Sequence, residues 1–139
     1  MFDYVNKAYQ IAKLAHKGQV DKAGIDYIHH PETVANLVNS DAEKATAYLH
    51  DVIEDTSVTV DQLSVSGIPD EVILAVTILT KQASQNYSDY LAQVKANKIA
   101  RVVKIADLIH NSDLSRLPSI SEQDKIRLDK YKKALAFLQ

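Results

Sequence analysis

Only six of the 139 residues are glycine or proline, at Gly18, Gly24, Pro31, Gly67, Pro69 and Pro118. The long intervals between them disfavour a fold of many short strands joined by tight turns. Those intervals are filled with Ala, Leu, Ile, Lys and Gln, a composition that favours helices. The expected class is all-α, with about seven or eight helices. Hydrophobic residues make up 46% of the chain, enough for one compact core, and residues 1–139 are too few for two ordinary domains.

Helix punctuation agrees with this class. Asp3 is placed to cap a first helix through about His16, with Val5, Ala8, Tyr9, Ala12 and Ala15 at helical spacing and Gly18 beyond its end. A loop is expected over Gln19 to His30, and Pro31 suits the first turn of a second helix through about Val38. Asp41 caps a third, to about Ile53. A polar loop with a short helix after Thr59 precedes helices over Pro69 to Thr80, Tyr87 to Lys95 and, capped by Asn97, to about His110. The last helix starts near Ser121, with Ile126, Tyr131, Leu135 and Leu138 expected on its buried side.

Several functions are disfavoured by composition. The 16 basic and 18 acidic residues are well mixed and give a net charge of −2, unlike the basic footprint of a duplex nucleic-acid binder. The longest apolar stretch, Val72 to Leu79, is too short to span a membrane, and Met1-Phe2-Asp3-Tyr4 does not begin like an export signal. Cysteine is absent, which suits a cytoplasmic protein and leaves only histidine and carboxylate for any transition-metal site.

Two helices carry polar residues where simple amphipathicity would not put them. His50, Asp51, Glu54 and Asp55 crowd the end of the third helix, where carboxylates repel the helix dipole and each other unless a cation compensates them. An exposed acidic helix end is the alternative. In the run Val102 to Asn111, apolar almost all round, Lys104, Asp107 and Asn111 at i, i+3 and i+7 share one stripe and should face a common buried polar pocket. A buried Lys104–Asp107 ion pair would explain part of that stripe. His29 and His30, just before Pro31, form either a surface pair or the edge of a cleft.

Taken in order, His30-Pro31, His50-Asp51 and Asp107 give an H…HD…D pattern that resembles the HD superfamily of metal-dependent phosphohydrolases. The runs Ala15-His16-Lys17-Gly18-Gln19, Tyr27-Ile28-His29-His30-Pro31, Leu49 to Thr56 and Lys104-Ile105-Ala106-Asp107 are similar to the hydrolase domain of the RelA/SpoT alarmone enzymes. The similarity extends from about residue 3 to residue 118, and suggests a small stand-alone relative without a synthetase domain. Asp21 and Leu108 stand where that pattern has arginines, and Leu114 where it has a threonine.

The resemblance implies an all-α HD fold in which His30, His50, Asp51 and Asp107 hold one divalent metal, usually Mn²⁺. It assigns Glu54 and Asp55 to the attacking water, Lys22 and Lys104 to phosphate, and Asn111 to the nucleoside. His16, His29 and His110 fall outside its ligand set. The implied activity is hydrolysis of the 3′-pyrophosphate of guanosine 3′,5′-bis(diphosphate), (p)ppGpp. Hydrolysis of another nucleoside polyphosphate or an NADPH-type dinucleotide, and non-catalytic nucleotide sensing, are the alternatives. The expected partner is a small nucleotide, and the oligomeric state is left open.

Overall fold

The computed structural model describes residues 2–139, and their regular structure is helical. The α-helical segments are α1 (Tyr4–Ala15), α2 (His29–Asn36), α3 (Asp41–Leu49), α4 (Val52–Asp55), α5 (Val60–Val65), α6 (Asp70–Leu79), α7 (Tyr87–Ala96), α8 (Lys98–Asn111) and α9 (Glu122–Leu138). A 3₁₀ turn over Leu114–Arg116 joins the last two. Among the described residues no strand forms, only an isolated bridge between Val20 and Asp26. The single turn α4 follows α3 after His50 and Asp51, which keep right-handed helical angles; with the two taken as one interrupted helix, the expected count of about seven or eight fits.

Asp3, Asn86 and Asn97 each cap a helix by accepting a backbone N–H three residues on. Ser40 with Glu43, Thr59 with Gln62 and Ser121 with Asp124 form reciprocal capping boxes. The start of α3 is thus set by Ser40 rather than by Asp41. Helix α2 begins two residues before Pro31, because the Asp26 and Tyr27 carbonyls already accept the N–H groups of His29 and His30. Pro31 still falls among the first four residues, whose N–H groups need no helical partner.

Helix α3 is central, packing against α1, α2, α6 and α8. One apolar cluster beside it joins Ala8, Ala12, Leu49, Leu63 and Val76. A second joins Val34, Ala47, Leu79, Val103 and Leu138. On α9 the buried face runs through Asp124, Ala134 and Leu138, with Tyr131 and Leu135 partly covered. Ile126, expected inside, is 62% exposed. Asp124 takes the inward direction instead and pairs with Lys22 and Arg127, and Ile126 lies two residues, about 200°, around the helix from it.

Candidate metal centre and adjoining cavity

His30 in the first turn of α2, His50 and Asp51 between α3 and α4, and Asp107 in α8 meet where these helices pack. His30 Nε2 lies 2.8 Å from Asp107 Oδ1 and 3.9 Å from Asp51 Oδ2. His50 Nε2 lies 3.1 Å from Asp51 Oδ2 and 3.4 Å from Asp107 Oδ1. Two ligands at right angles, each about 2.1 Å from one ion, are about 3 Å apart, a spacing that suits the His30, His50 and Asp107 atoms, while Asp51 bridges from His50 toward Glu54 and Asp55.

The break between α3 and α4 creates part of this geometry. His50 Nδ1 donates to the Ala47 carbonyl at 2.6 Å, which an uninterrupted helix would pair with the Asp51 N–H. A carbonyl only accepts, so Nδ1 carries the hydrogen and the lone pair of the neutral ring sits on Nε2. That Nε2 is buried and makes no hydrogen bond, although both carboxylates are near. Once the ring is neutral, its lone pair is turned toward His30 and Asp107, with Asp51 alongside, a nitrogen and oxygen donor set without sulfur that fits a divalent cation.

Charge is concentrated here. Burial works against the charged form of Asp107, but Lys104, followed by His30 and His50, outweighs it and holds the carboxyl well below the usual range. Asp51 is likewise disfavoured by burial, yet His50 brings it down to about 2. Burial also opposes a charged His50, and the carboxylates of Asp51 and Asp107 nonetheless hold its ring well above the ordinary histidine value. Around Glu54 and Asp55 the balance reverses. Partial shielding from water and neighbouring carboxylates, Asp55 and Asp51 for Glu54 and Asp51 for Asp55, push both upward. With Asp51 they form a second acidic group beside the first.

No family model matches the chain. A Synechocystis protein named "Probable guanosine-3′,5′-bis(diphosphate) 3′-pyrophosphohydrolase" is 30% identical over 138 residues, covering 88% of this chain and 18% of its own length. The Haemophilus influenzae guanosine-3′,5′-bis(diphosphate) 3′-pyrophosphohydrolase is 36% identical over 115 residues, 73% of this chain and 17% of its own length. Other relatives carry the name GTP pyrophosphokinase. The chain therefore spans less than a fifth of these curated relatives. In fold it matches a metazoan ortholog of SpoT, described as hydrolysing ppGpp with a role in starvation responses, at a TM-score of 0.77 and 20% identity over 99% of this chain and 86% of that one.

The chain belongs to the RelA/SpoT branch of the HD-domain superfamily.

In this RelA/SpoT-type fold the residues expected at the site fall into two groups. Lys104 and Asn111 both reach Asp107, Lys104 Nζ donating to Oδ2 and Asn111 Nδ2 to Oδ1, each at 3.0 Å. The anticipated Lys104–Asp107 pair is thus present and forms part of the cluster. Lys104 Nζ also sits 5.5 Å from the centre of the Tyr90 ring. Lys22 lies apart from these, with Nζ 3.3 Å from Asp124 across a cavity of about 280 Å³ that Tyr27, His30 and Asn111 also line. Glu54 accepts the Lys81 backbone N–H at 3.2 Å, and it and Asp55 are partly shielded but reachable from solvent. Leu108 is in the core and takes no part. His29 stays at the surface beside Glu32.

Three supporting residues were not singled out from the sequence. Tyr27 donates its hydroxyl to Asp51 Oδ2, and burial followed by Asp51 drives its pKa strongly upward, keeping the phenol protonated as a donor. His110, 2.7 Å from His30 through the two Nδ1 atoms, fixes the ring whose Nε2 faces the cluster. Gln19 connects the buried His16 ring to the Asp55 carbonyl, bonding at 2.9 and 3.2 Å, and His16 packs against Tyr27. Tyr27 and Gln19 lie inside two of the runs that carry the family resemblance, and His110 was set outside its ligand set, but no role was assigned to them from the sequence. Each acts through tertiary contacts, with sequence separations from 24 to 80 residues for the bonds of Tyr27, Gln19 and His110 to the site.

Proposed function

We propose that this chain is a metal-dependent phosphohydrolase that removes pyrophosphate from the 3′ position of guanosine 3′,5′-bis(diphosphate). The observation that carries the reading is the convergence of His30 Nε2, His50 Nε2, Asp51 Oδ2 and Asp107 Oδ1 into one ligand shell, in a chain related to proteins named for that reaction. Mn²⁺ is the proposed cation, matching a nitrogen and oxygen donor set without thiolate. Bound at these four atoms, it would acidify a water molecule and neutralise charge on a phosphoryl oxygen.

The chain's own groups perform the remaining tasks. Glu54 and Asp55, both more basic than ordinary carboxylates, accept the proton of the attacking water. One water is consumed, the bond between phosphorus and the ribose 3′ oxygen breaks, and that oxygen leaves as a hydroxyl. Lys104, fixed by Asp107 and by Tyr90 packing, contributes positive charge next to the reacting phosphate. Burial opposes its charged form, but the adjacent Asp107 outweighs it, so Lys104 stays a cation. Asn111 holds the nucleoside side, and Lys22, expected at the phosphate, is placed with it instead, because its ammonium is paired with Asp124 in the cavity that adjoins His30.

The test is release of pyrophosphate from guanosine 3′,5′-bis(diphosphate) by Mn²⁺-loaded protein, alongside other nucleoside polyphosphates and NADPH. Turnover of the guanosine compound that disappears with a chelator is expected. Metal-loaded protein that hydrolyses none of the panel refutes the proposal.

A further inference from the structure

The cavity beside His30 contains an arginine held in place by an acid from a different part of the chain. Arg116, at the end of the 3₁₀ turn, extends Nη1 to within 3.3 Å of Asp21 Oδ2, 95 residues away in sequence. Both residues line the same cavity as Tyr27, His30 and Asn111.

Asp21 is unusually well fixed for a loop residue. Its Oδ1 accepts the backbone N–H groups of Ala23 and Ile25 at 2.8 and 3.0 Å, and its own backbone N–H donates to the Ile25 carbonyl at 2.8 Å. Gly24, at φ +80, makes the tight reversal possible. Oδ1 is consumed by the loop, so Oδ2 is left to orient the guanidinium. Arg116 spends one of its five N–H donors on that contact and keeps the others free. Its side chain is 33% exposed, and therefore accessible from the cavity.

The rest of the lining indicates which part of a nucleotide belongs there. Lys22, Arg116 and Arg127 are matched in number by Asp21, Asp113 and Asp124, and Asp124 contacts both Lys22 and Arg127. Such a lining has no excess positive charge with which to attract a polyanion. Val20, Leu114 and Leu117 provide apolar wall, with the Tyr131 ring beside them. About 280 Å³ is at the lower end of small-ligand sites and suits a nucleoside better than a whole polyphosphate. The charged end of the substrate is served by the metal cluster and Lys104.

We infer that Arg116, oriented by Asp21, is the residue that selects the nucleobase, favouring a 6-oxopurine such as guanine over adenine. Guanine presents two acceptors, O6 and N7, on one edge, which a guanidinium fork engages together. Adenine replaces O6 with an N–H₂ donor, and an arginine has no acceptor to receive it. This inference rests on the nucleotide reading above and adds the residue that sets its base preference.

The experiment measures binding of guanosine and adenosine 3′,5′-bis(diphosphate) by calorimetry, using full-length metal-loaded Glu54→Gln protein so that ligand is not consumed. The guanosine compound should bind about 10- to 100-fold more tightly in this parent. Adding Arg116→Ala should bring the ratio close to one with metal content unchanged. Arg116→Lys keeps the charge but not the fork, should lose the preference too, and carries the test if the alanine variant does not fold. An undiminished ratio in either folded variant, equal affinities in the parent, or binding of neither compound overturns the inference. Turnover by the protein with Glu54 intact is measured separately. If the ratios behave as expected and neither compound is hydrolysed, the hydrolase reading falls while the role of Arg116 stands.

Discussion

Replacing Asp107 with alanine separates the structural and the metal-binding demands on the cluster. The carboxylate is 5% exposed, accepts hydrogen bonds from Lys104 and Asn111, and lies 2.8 Å from His30 Nε2. Deleting it leaves Lys104, whose side chain is only 17% exposed, without its ion-pair partner. Losing one partner of a buried pair costs about 3–5 kcal/mol, a large share of the roughly 5–15 kcal/mol that keeps a domain folded. Metal-free Asp107→Ala is therefore expected to unfold at much lower urea than the parent. Adding Lys104→Met, which removes the stranded charge, should recover about 1 kcal/mol or more.

The metal response provides the second half of the test. At a hundredfold excess over Kd, a cation that binds only the folded state adds about 2.7 kcal/mol, or about 10 °C in Tm at roughly 4 °C per kcal/mol for a chain of this size. Thermal melts with and without Mn²⁺ should show that gain in the parent and none in Asp107→Ala. A variant that keeps the full gain would refute the assignment of Asp107 Oδ1 as a ligand. A metal-free variant as stable as its parent would refute the account of the Lys104 pairing.

Glu54→Gln should retain metal, because Glu54 lies outside the four-atom shell, and should reduce turnover by about two orders of magnitude or more. Equal metal loss in Glu54→Gln and Asp107→Ala would contradict this division of roles. Tyr27→Phe removes the hydroxyl that holds Asp51 and should weaken metal binding about 10- to 100-fold, measured by competition with a chromophoric chelator; unchanged affinity would show that Asp51 needs no such support. His50 is held above its ordinary pKa in the metal-free protein, so its ion pairing stabilises fully below about pH 6.5 and fades as pH rises through the folded value. Ligation requires the neutral ring, so metal uptake at pH 7 should expel about one proton. Calorimetry in buffers of different ionisation enthalpy would detect it, and heats independent of the buffer would count against a protonated His50.

Helix class and most boundaries could be read from residues 1–139 because capping and periodicity are local. Asp3 and Asn97 cap where expected, the last helix starts at Ser121 as expected, and Lys104, Asp107 and Asn111 share one inward stripe because a helix alone dictates that they do. The four candidate ligands were visible as a pattern along the chain, and their spacing there carried no distances. Ile126 shows where local reasoning fails, since an apolar residue at a plausible position was turned outward by the demand to bury Asp124 against two cations.

Sequence by itself determined the all-helical class, the order of the site motifs and the kinship that makes a metal-dependent hydrolase the best reading. Tertiary structure alone decided that His50 breaks its helix to free Nε2, that Tyr27 and His110 brace the cluster, and that Asp21 faces an arginine. Hydrogen-bond competition for one carbonyl and pairing of charges 95 residues apart depend on how helices pack. Neither propensity nor periodicity encodes that packing, because both describe one element at a time.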